Sequence, residues 1–130
     1  MIVDTSVLIA ILAGEDDGPE LLELLIGAER PKMSAASFLE AGLVIDGRTS
    51  PQQRRRLDDL VRVARIDIVP FDADQARVAR AAYQDFGRGS GHPARLNFGD
   101  CFAYALATVT GEPLLFKGED FAATGVWSAR

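Results

Sequence analysis

The sequence predicts an α/β fold with a short parallel sheet of about four or five strands flanked by helices. Four strand candidates are spaced along the chain, at residues 1–3, 32–34, 66–71 and 114–116. Segments with helical spacing of apolar residues separate them, an alternation typical of parallel sheets covered on both faces. The chain has 130 residues and no repeat or linker-like stretch, so we expect a single domain over residues 1–130.

The composition is that of an ordinary globular protein, with 48% apolar and 25% charged residues. The formal net charge of −5 excludes a protein that coats nucleic acid by charge alone, because such binding needs clustered Lys and Arg. Cys101 is the one cysteine, which excludes an internal disulfide and a multi-cysteine zinc site. The apolar run at residues 7–13 is too short to span a bilayer and has no basic segment before it, so we expect a cytoplasmic protein with no membrane partner.

In the first half of the chain, a buried strand ends at Asp4, and a helix follows it. The run at residues 7–13 has no polar face, so the core or a partner must cover that helix. Residues 20–28 place Leu and Glu at helical spacing and predict a second helix. A third helix follows the strand at 32–34, and residues 49–51 (Thr-Ser-Pro) predict the start of a fourth that runs to about residue 65.

In the second half, the β-branched segment at 66–71 predicts a strand with Pro70 near its exit. Asp72 caps a fifth helix, which stops at a Gly-rich loop over residues 87–93. Asn97 caps a sixth helix that runs to about residue 110. The apolar strand at 114–116 and a last short segment around 126–127 complete the chain.

Four acidic residues lie near predicted strand ends or helix starts: Asp4, Glu40, Asp100 and Asp120. In a doubly wound sheet they would converge on one crevice at the carboxyl ends of the strands. Carboxylates that lie close together raise each other's pKa, and a bound hard cation is the usual resolution. An all-oxygen site with room for water suits Mg²⁺, with Mn²⁺ as a possible substitute.

Structural roles compete with chemistry at three of these positions. The pairs Ser37 with Glu40 and Asn97 with Asp100 both have the spacing of a helix capping box. Asp120 also fits an ordinary turn. For each of these residues alone, capping or turn formation is at least as good an explanation as chemistry.

Asp4 is the acid for which a functional role is best supported. Thr5 and Ser6 are both able to cap the first helix, which would leave the Asp4 carboxylate available. Ser6 has two alternative roles, either as that cap or as a hydrogen-bonding partner of Asp4 or of a substrate phosphate.

Four parts of the sequence together closely resemble PIN-domain ribonucleases, specifically VapC-type toxins. They are the opening Met-Ile-Val-Asp-Thr-Ser, Glu40, the segment 96–107 and the segment 114–121. The resemblance covers the whole chain in order and spacing. It implies a PIN-like three-layer sandwich and an endoribonuclease that depends on Mg²⁺, cleaves RNA through metal-activated water and acts as the toxin of a toxin–antitoxin pair.

The resemblance also implies roles for the four acids. Asp4, Glu40, Asp100 and Asp120 correspond to the catalytic residues, with Asp4 and Asp100 as direct metal ligands and the other two holding metal-bound water. One position departs from the family pattern, because Gly118 stands where many relatives carry an additional Asp. A catalytically weak or dead PIN-like interaction module is therefore the main alternative.

The histidine count bears on the mechanism independently of the resemblance. His92 is the one histidine, so a metal-free mechanism with two histidines is impossible and a metal must do that work. Attack by water would leave a 5′-phosphate and a 3′-hydroxyl. Arg88 and Arg95 precede the Asp100 helix and are candidate contacts to RNA phosphates.

Partners are expected at the apolar first helix and the Leu-rich second helix, which offer more apolar surface than a small domain readily buries. By resemblance, a cognate antitoxin packs there and inserts an Arg that blocks the acidic site, and the toxin forms a homodimer.

Two other α/β classes are less well supported. A phosphatase of the haloacid-dehalogenase type needs a second Asp at position 6, where this chain has Ser6. A receiver-type phosphorylation module would use Asp4, Lys117 and a central Asp at the end of the third strand. Only Asp72 is near that position, and it fits a helix cap.

Overall fold

Short strands and helices alternate along the chain, as the sequence predicts. The computed structural model describes residues 1–48 and 50–130, apart from the side chains of Arg48 and Gln53. Its elements are β1 (Ile2–Val3), α1 (Thr5–Ala13), α2 (Gly18–Gly27), β2 (Lys32–Ser34), α3 (Ala35–Arg48), α4 (Pro51–Val63), β3 (Asp67–Val69), α5 (Ala73–Phe86), α6 (Phe98–Thr110) and β4 (Leu114–Leu115). Thr49, in the predicted start of α4, lies outside the described residues.

The four strands pair in parallel in the order β3-β2-β1-β4. Ile2 of the inner strand β1 lies opposite Lys32 on one side and Leu114 on the other. The chain moves from β1 to β2 and β3 in one direction, and β4 then pairs with the opposite side of β1. The direction reverses at β1, and the crevice at the carboxyl ends of β1 and β4 is the usual ligand site of such sheets. An isolated bridge from Leu114 to Ser128 is all that forms of a fifth strand in the described residues.

Helices cover both faces of the sheet, which confirms the predicted three-layer α/β arrangement. Val3 and Leu115 point into a core shared with α1, α2, α3 and α4, whereas Ile2 and Leu114 point into a core shared with α5 and α6. This alternation follows from the two-residue period of a strand. Among the described residues, no helix has the length and apolar character needed to cross a bilayer.

The first helix is capped differently from the prediction. Asp4 is the N-cap of α1, and its Oδ2 accepts the backbone N–H of Ser6 at 3.0 Å, whereas Thr5 and Ser6 lie inside the helix. Asp4 alone has the extended backbone that an N-cap requires. The apolar run of α1 is largely covered, because Val7, Leu8 and Ala10 are buried in the core.

The third helix also begins earlier than the predicted capping box. It starts at Ala35, directly after β2, and the Ser34 Oγ accepts the N–H of Ala36 at 3.3 Å. Ser37 therefore lies within the helix, and the predicted capping box from Ser37 to Glu40 is wrong.

The boundaries of the later elements agree closely with the sequence. Asp72 caps α5 by accepting the N–H of Gln75 at 2.9 Å, as predicted. The helix α4 ends at Val63, slightly before the predicted end, and Arg65 follows with a left-handed backbone (φ 56°) that a helix does not continue through. The strand β3 is shorter than predicted, since it ends before Pro70, which lacks the N–H for a ladder bond.

Candidate active site

Asp4 lies at the carboxyl end of β1, between that strand and α1. Its backbone N–H donates to the carbonyl of Leu115 in β4 at 3.0 Å, which places it beside the end of that strand. Its carboxyl group is buried, and burial raises its pKa to about 6, although hydrogen bonds from Ser6 oppose the shift. The charge of Glu40 raises the pKa further.

Asp100 lies in the first turn of α6 and forms the predicted capping box. The Asn97 Oδ1 accepts the N–H of Asp100, and the Asp100 Oδ2 accepts the N–H of Asn97, both at 2.9 Å. The second oxygen, Oδ1, accepts no hydrogen bond from any described residue. The cap thus fixes the carboxylate without using all of its acceptor capacity.

The other three predicted acids, Asp4, Glu40 and Asp120, lie around Asp100. Burial raises its pKa to about 7, and the charges of Asp4, Asp120 and Glu40 each add to the increase, whereas the hydrogen bond from Asn97 lowers it. Asp120 is exposed shortly after β4, and Glu40 is half-buried on α3. The structure therefore brings Asp4, Glu40 and Asp120 within electrostatic range of Asp100, near the carboxyl ends of β1 and β4.

Glu40 reaches this site by crossing to the start of α6. Its carboxylate lies against the backbone of Gly99, so closely that a Cβ built on Gly99 would overlap it. Sequence reasoning missed this role of Gly99. The sequence does place a glycine directly before Asp100, but the side chain that contacts it, Glu40, lies on a different helix, α3.

Ser6 holds the end of β4 and does not cap α1. Its Oγ accepts the backbone N–H of Lys117 at 3.0 Å. The Lys117 Nζ forms an ion pair with Asp17 at 2.8 Å and another with Glu15. The lysine charge is thereby engaged by the turn between α1 and α2, unlike the site lysine of a receiver module.

Two candidate substrate contacts lie at the base of the Gly-rich loop. Arg88 and Arg95 are both exposed, and the N–H of Arg88 donates to the carbonyl of Leu96 at 3.0 Å, which closes the loop just before α6. Arg95 has a left-handed backbone (φ 52°). His92 packs against Phe86 with ring centroids 4.8 Å apart, so it is engaged within the loop.

Two neighbours of the acids have structural roles. Cys101 is buried, as predicted for a small core residue, and its Sγ donates to the carbonyl of Asn97 at 3.3 Å. Burial raises the pKa of this thiol to about 11, so it is uncharged at neutral pH. Gly118 has a φ of 102°, a conformation that disfavours any residue with a side chain.

The donor set fits a hard divalent cation that keeps much of its water. All four side chains supply carboxylate oxygens. Burial is the main cause of the raised pKa values of Asp4 and Asp100, and neighbouring carboxylates raise them further, so a bound cation would favour the charged forms. Within residues 1–48 and 50–130, no group of three or more His, Cys, Asp or Glu side chains lies close enough to ligate one ion together. Mg²⁺ commonly takes only one or two carboxylates and several waters, so Asp4 and Asp100 would be enough to hold it.

Comparison with known proteins agrees with the fold. The sequence model of the PIN domain family matches residues 1–126. Ribonuclease VapC28 of Mycobacterium tuberculosis is 55% identical over 129 residues, which cover 99% of this chain and 97% of that protein. Ribonuclease VapC42 of the same species is 50% identical over 126 residues, or 97% of this chain and 96% of that protein.

Two solved structures share the fold at low sequence identity. The sarcin-ricin loop cleaving toxin VapC20 of M. tuberculosis superposes with a TM-score of 0.75 at 18% identity, covering 96% of this chain and 95% of that one. A toxin–antitoxin complex from Klebsiella pneumoniae gives a TM-score of 0.71 at 19% identity, covering 95% and 92% of the two chains.

A three-layer sandwich with acidic residues gathered where the strand order of a parallel sheet changes direction is typical of a PIN-type domain. The chain belongs to the PIN-domain family, and its relatives at 50 to 55% identity place it among the VapC ribonucleases.

Proposed function

We propose that this protein is a Mg²⁺-dependent endoribonuclease that acts as the toxin of a toxin–antitoxin pair. The observation that carries the proposal is the gathering of Asp4, Glu40 and Asp120 around Asp100, whose pKa rises to about 7. The identity of 55% to a protein named as a ribonuclease supports RNA cleavage as the reaction.

Asp4 and Asp100 are the residues that would hold the cation, because both are buried and each is fixed by its own capping bond. Glu40 and Asp120 are less buried and would orient water at the site. When bound, Mg²⁺ supplies a Lewis acid for the scissile phosphate and lowers the pKa of water beside it.

The remaining side chains would act on the substrate or on the site. Arg88 and Arg95 are exposed near the start of α6 and would contact phosphates of the RNA backbone. Ser6 would hold the end of β4, and with it the segment that carries Asp120, through its bond to Lys117.

A cognate antitoxin would pack on α1, α2 and α4. These helices form an open groove of about 280 Å³ lined mainly by apolar side chains: Ile11, Leu12, Leu22, Ile26, Leu60 and Val63. Ile26 and Val63 are 53% and 57% exposed. Exposed apolar side chains in a groove suit an amphipathic segment of a partner. The K. pneumoniae structure that shares the fold is a toxin–antitoxin complex.

The cation-dependent activity is tested by RNA cleavage with and without Mg²⁺ or Mn²⁺. Asp4→Asn and Asp100→Asn should each abolish cleavage, whereas Glu119→Gln, which removes an exposed charge next to Asp120, should cleave like the wild type. Activity without metal, or full activity in both Asn variants, would refute the proposal. An interaction module without activity would instead show no cleavage in any protein while still binding the antitoxin.

The antitoxin surface is tested separately by co-purification with the cognate antitoxin. Val63→Asp and Ile26→Asp should weaken the complex and leave RNA cleavage unchanged, because both positions lie on the groove and outside the acidic site. Retention of the full complex by both variants would place the antitoxin elsewhere.

A further inference from the structure

The ammonium group of Lys117 is held by two acidic side chains from a turn that is distant in sequence. Its Nζ donates to Asp17 Oδ1 at 2.8 Å and also to the carboxylate of Glu15. Both acids lie in the turn between α1 and α2. A partly exposed ion pair usually adds little to stability, because water screens it and ordering the side chains costs entropy. The convergence of two acids on one lysine therefore points to a role beyond stability.

The turn that carries these acids is itself well fixed. The Gly18 N–H donates to the Glu15 carbonyl at 2.9 Å, which closes the turn. Asp17 also pairs with the Arg130 guanidinium at 3.1 Å. The ammonium group of Lys117 is thus attached to a rigid part of the fold.

Lys117 is also one end of the short segment that carries Asp120. Residues 116–120 form neither a helix nor a strand. On the other side of Asp120, Phe121 is buried in the core and 2% exposed. Between these two anchors, Gly118 is exposed and has no side chain to pack against the fold. The position of Asp120 therefore depends on how firmly Lys117 is held.

The backbone of Lys117 provides only one attachment, from its N–H to the Ser6 Oγ at 3.0 Å. One hydrogen bond leaves the segment free to turn about that point, whereas the ion pairs of the side chain fix a second point. Among the described residues, the ammonium group forms ion pairs with Glu15 and Asp17 and with none of the four site acids. Its effect on the site is therefore one of position.

We propose that Lys117 is a positioning residue, whose two ion pairs hold the segment after β4 so that Asp120 stays beside Asp100. This role rests on the proposed ribonuclease function, in which Asp120 orients water at the site. The charge of Asp120 does reach Asp100, since it raises the pKa of that carboxyl group. Without the ion pairs Asp120 would move, which would slow the chemical step and leave the affinity for RNA unchanged.

A direct contact to an RNA phosphate is the other role that a lysine near this site could have. Two carboxylates already neutralise the charge of Lys117, whereas a phosphate contact needs a free cation. Loss of a phosphate contact would raise KM, and loss of a positioning contact would lower kcat. Steady-state kinetics therefore distinguishes the two roles.

The test uses variants of the full chain. Lys117→Met keeps the apolar stem but removes the ammonium group, and Lys117→Arg keeps a cation able to pair with two carboxylates. Lys32→Met is the matched control. Lys32 is exposed to a similar extent, 31% against 35%, and pairs with Glu112 at 2.6 Å, but it lies at the amino end of β2.

The readouts are kcat and KM for RNA cleavage in saturating Mg²⁺, and amide hydrogen exchange of residues 114–121 in EDTA. Lys117→Met should lower kcat about tenfold, keep KM within about twofold of the wild type and exchange faster in this segment. Lys117→Arg should keep most of the wild-type kcat, and Lys32→Met should cleave like the wild type. Combined with Asp120→Asn, Lys117→Met should have little further effect, because it acts through Asp120.

Four results would overturn the positioning role. If Lys117→Met has the kcat and the hydrogen exchange of the wild type, the ion pairs do not hold the segment. A raised KM with unchanged kcat would make the lysine an RNA contact. An equal loss of kcat in Lys32→Met, or a further tenfold loss in the Asp120→Asn background, would show that the effect does not pass through Asp120. If the wild type itself cleaves no RNA in Mg²⁺, the proposed function fails and this role fails with it, whereas the other results leave that function standing.

Discussion

The Glu40 carboxylate lies directly against the backbone of Gly99, which joins α3 to the first turn of α6. No side chain fits between them. Glu40 therefore keeps its place near Asp100 only because position 99 is glycine.

Gly99→Ala should displace Glu40 and lower RNA cleavage strongly. The nearest atoms to the added Cβ all belong to the flexible end of the Glu40 side chain, so the fold should adapt. Alanine is also the better helix former, so the free energy of unfolding should change by no more than about 1 kcal/mol. Cleavage assays and thermal unfolding measure the two effects. Unchanged cleavage by a folded Gly99→Ala protein would show that the position of Glu40 is unimportant.

Without metal, the stability that Asp4 and Asp100 contribute should fall as the pH rises from about 4 to 7. Asp100 has a pKa of about 7 in the folded chain against 3.8 as its ordinary value, and Asp4 has a pKa of about 6. In this window the folded state binds protons that the unfolded state releases, so the stabilising contribution is complete below pH 3.8 and is lost as the pH passes 7.

Asp100→Asn removes the titration of this group. Relative to the wild type, its free energy of unfolding should increase by about 1 to 3 kcal/mol between pH 4 and pH 8. Thermal unfolding in EDTA across this range makes the comparison. Parallel curves for the two proteins would mean that folding does not raise the pKa of Asp100.

Ser6→Ala should destabilise the junction between α1 and the end of β4. It removes the acceptor of the Lys117 N–H, a loss of about 1 to 2 kcal/mol in the free energy of unfolding. Ser6→Thr keeps a hydroxyl at the same position and should retain most of that stability. Denaturant unfolding distinguishes the two variants. If Ser6→Ala is as stable as the wild type, this hydrogen bond does not stabilise the fold.

Arg88→Ala and Arg95→Ala together should weaken RNA binding and its dependence on salt. Each lost phosphate contact should make the slope of log K against log salt less negative by about 0.7, with no change in melting temperature. Arg77→Ala is the control, because Arg77 is an exposed arginine already paired with Asp74 at 2.8 Å. An unchanged slope in the double variant would exclude both arginines as RNA contacts.

Features set by neighbouring residues were predictable from the sequence. The capping box of Asn97 and Asp100 and the cap at Asp72 involve groups three residues apart, and both form as predicted. The alternation of strands and helices likewise depends on local apolar spacing, and it gives the correct sheet.

Features set by contacts between distant elements were not predictable. The start of α3 at Ala35 follows directly from the end of β2, so Ser37 never becomes a cap. The contact of Glu40 with Gly99 and the bond from Lys117 to Ser6 each join separate parts of the chain. Asp4 proved to be both a helix cap and a member of the acidic cluster, two roles that sequence reasoning set against each other.

Titration calorimetry with Mn²⁺ tests most directly whether Asp4 and Asp100, with Glu40 and Asp120 beside them, hold one cation. The wild type should bind Mn²⁺ and release protons near pH 6.5, because Asp4 and Asp100 are partly protonated there. Asp4→Asn and Asp100→Asn should each weaken binding at least about tenfold, whereas Glu119→Gln should bind like the wild type. Equal Mn²⁺ affinity in the wild type and both Asn variants would contradict the account.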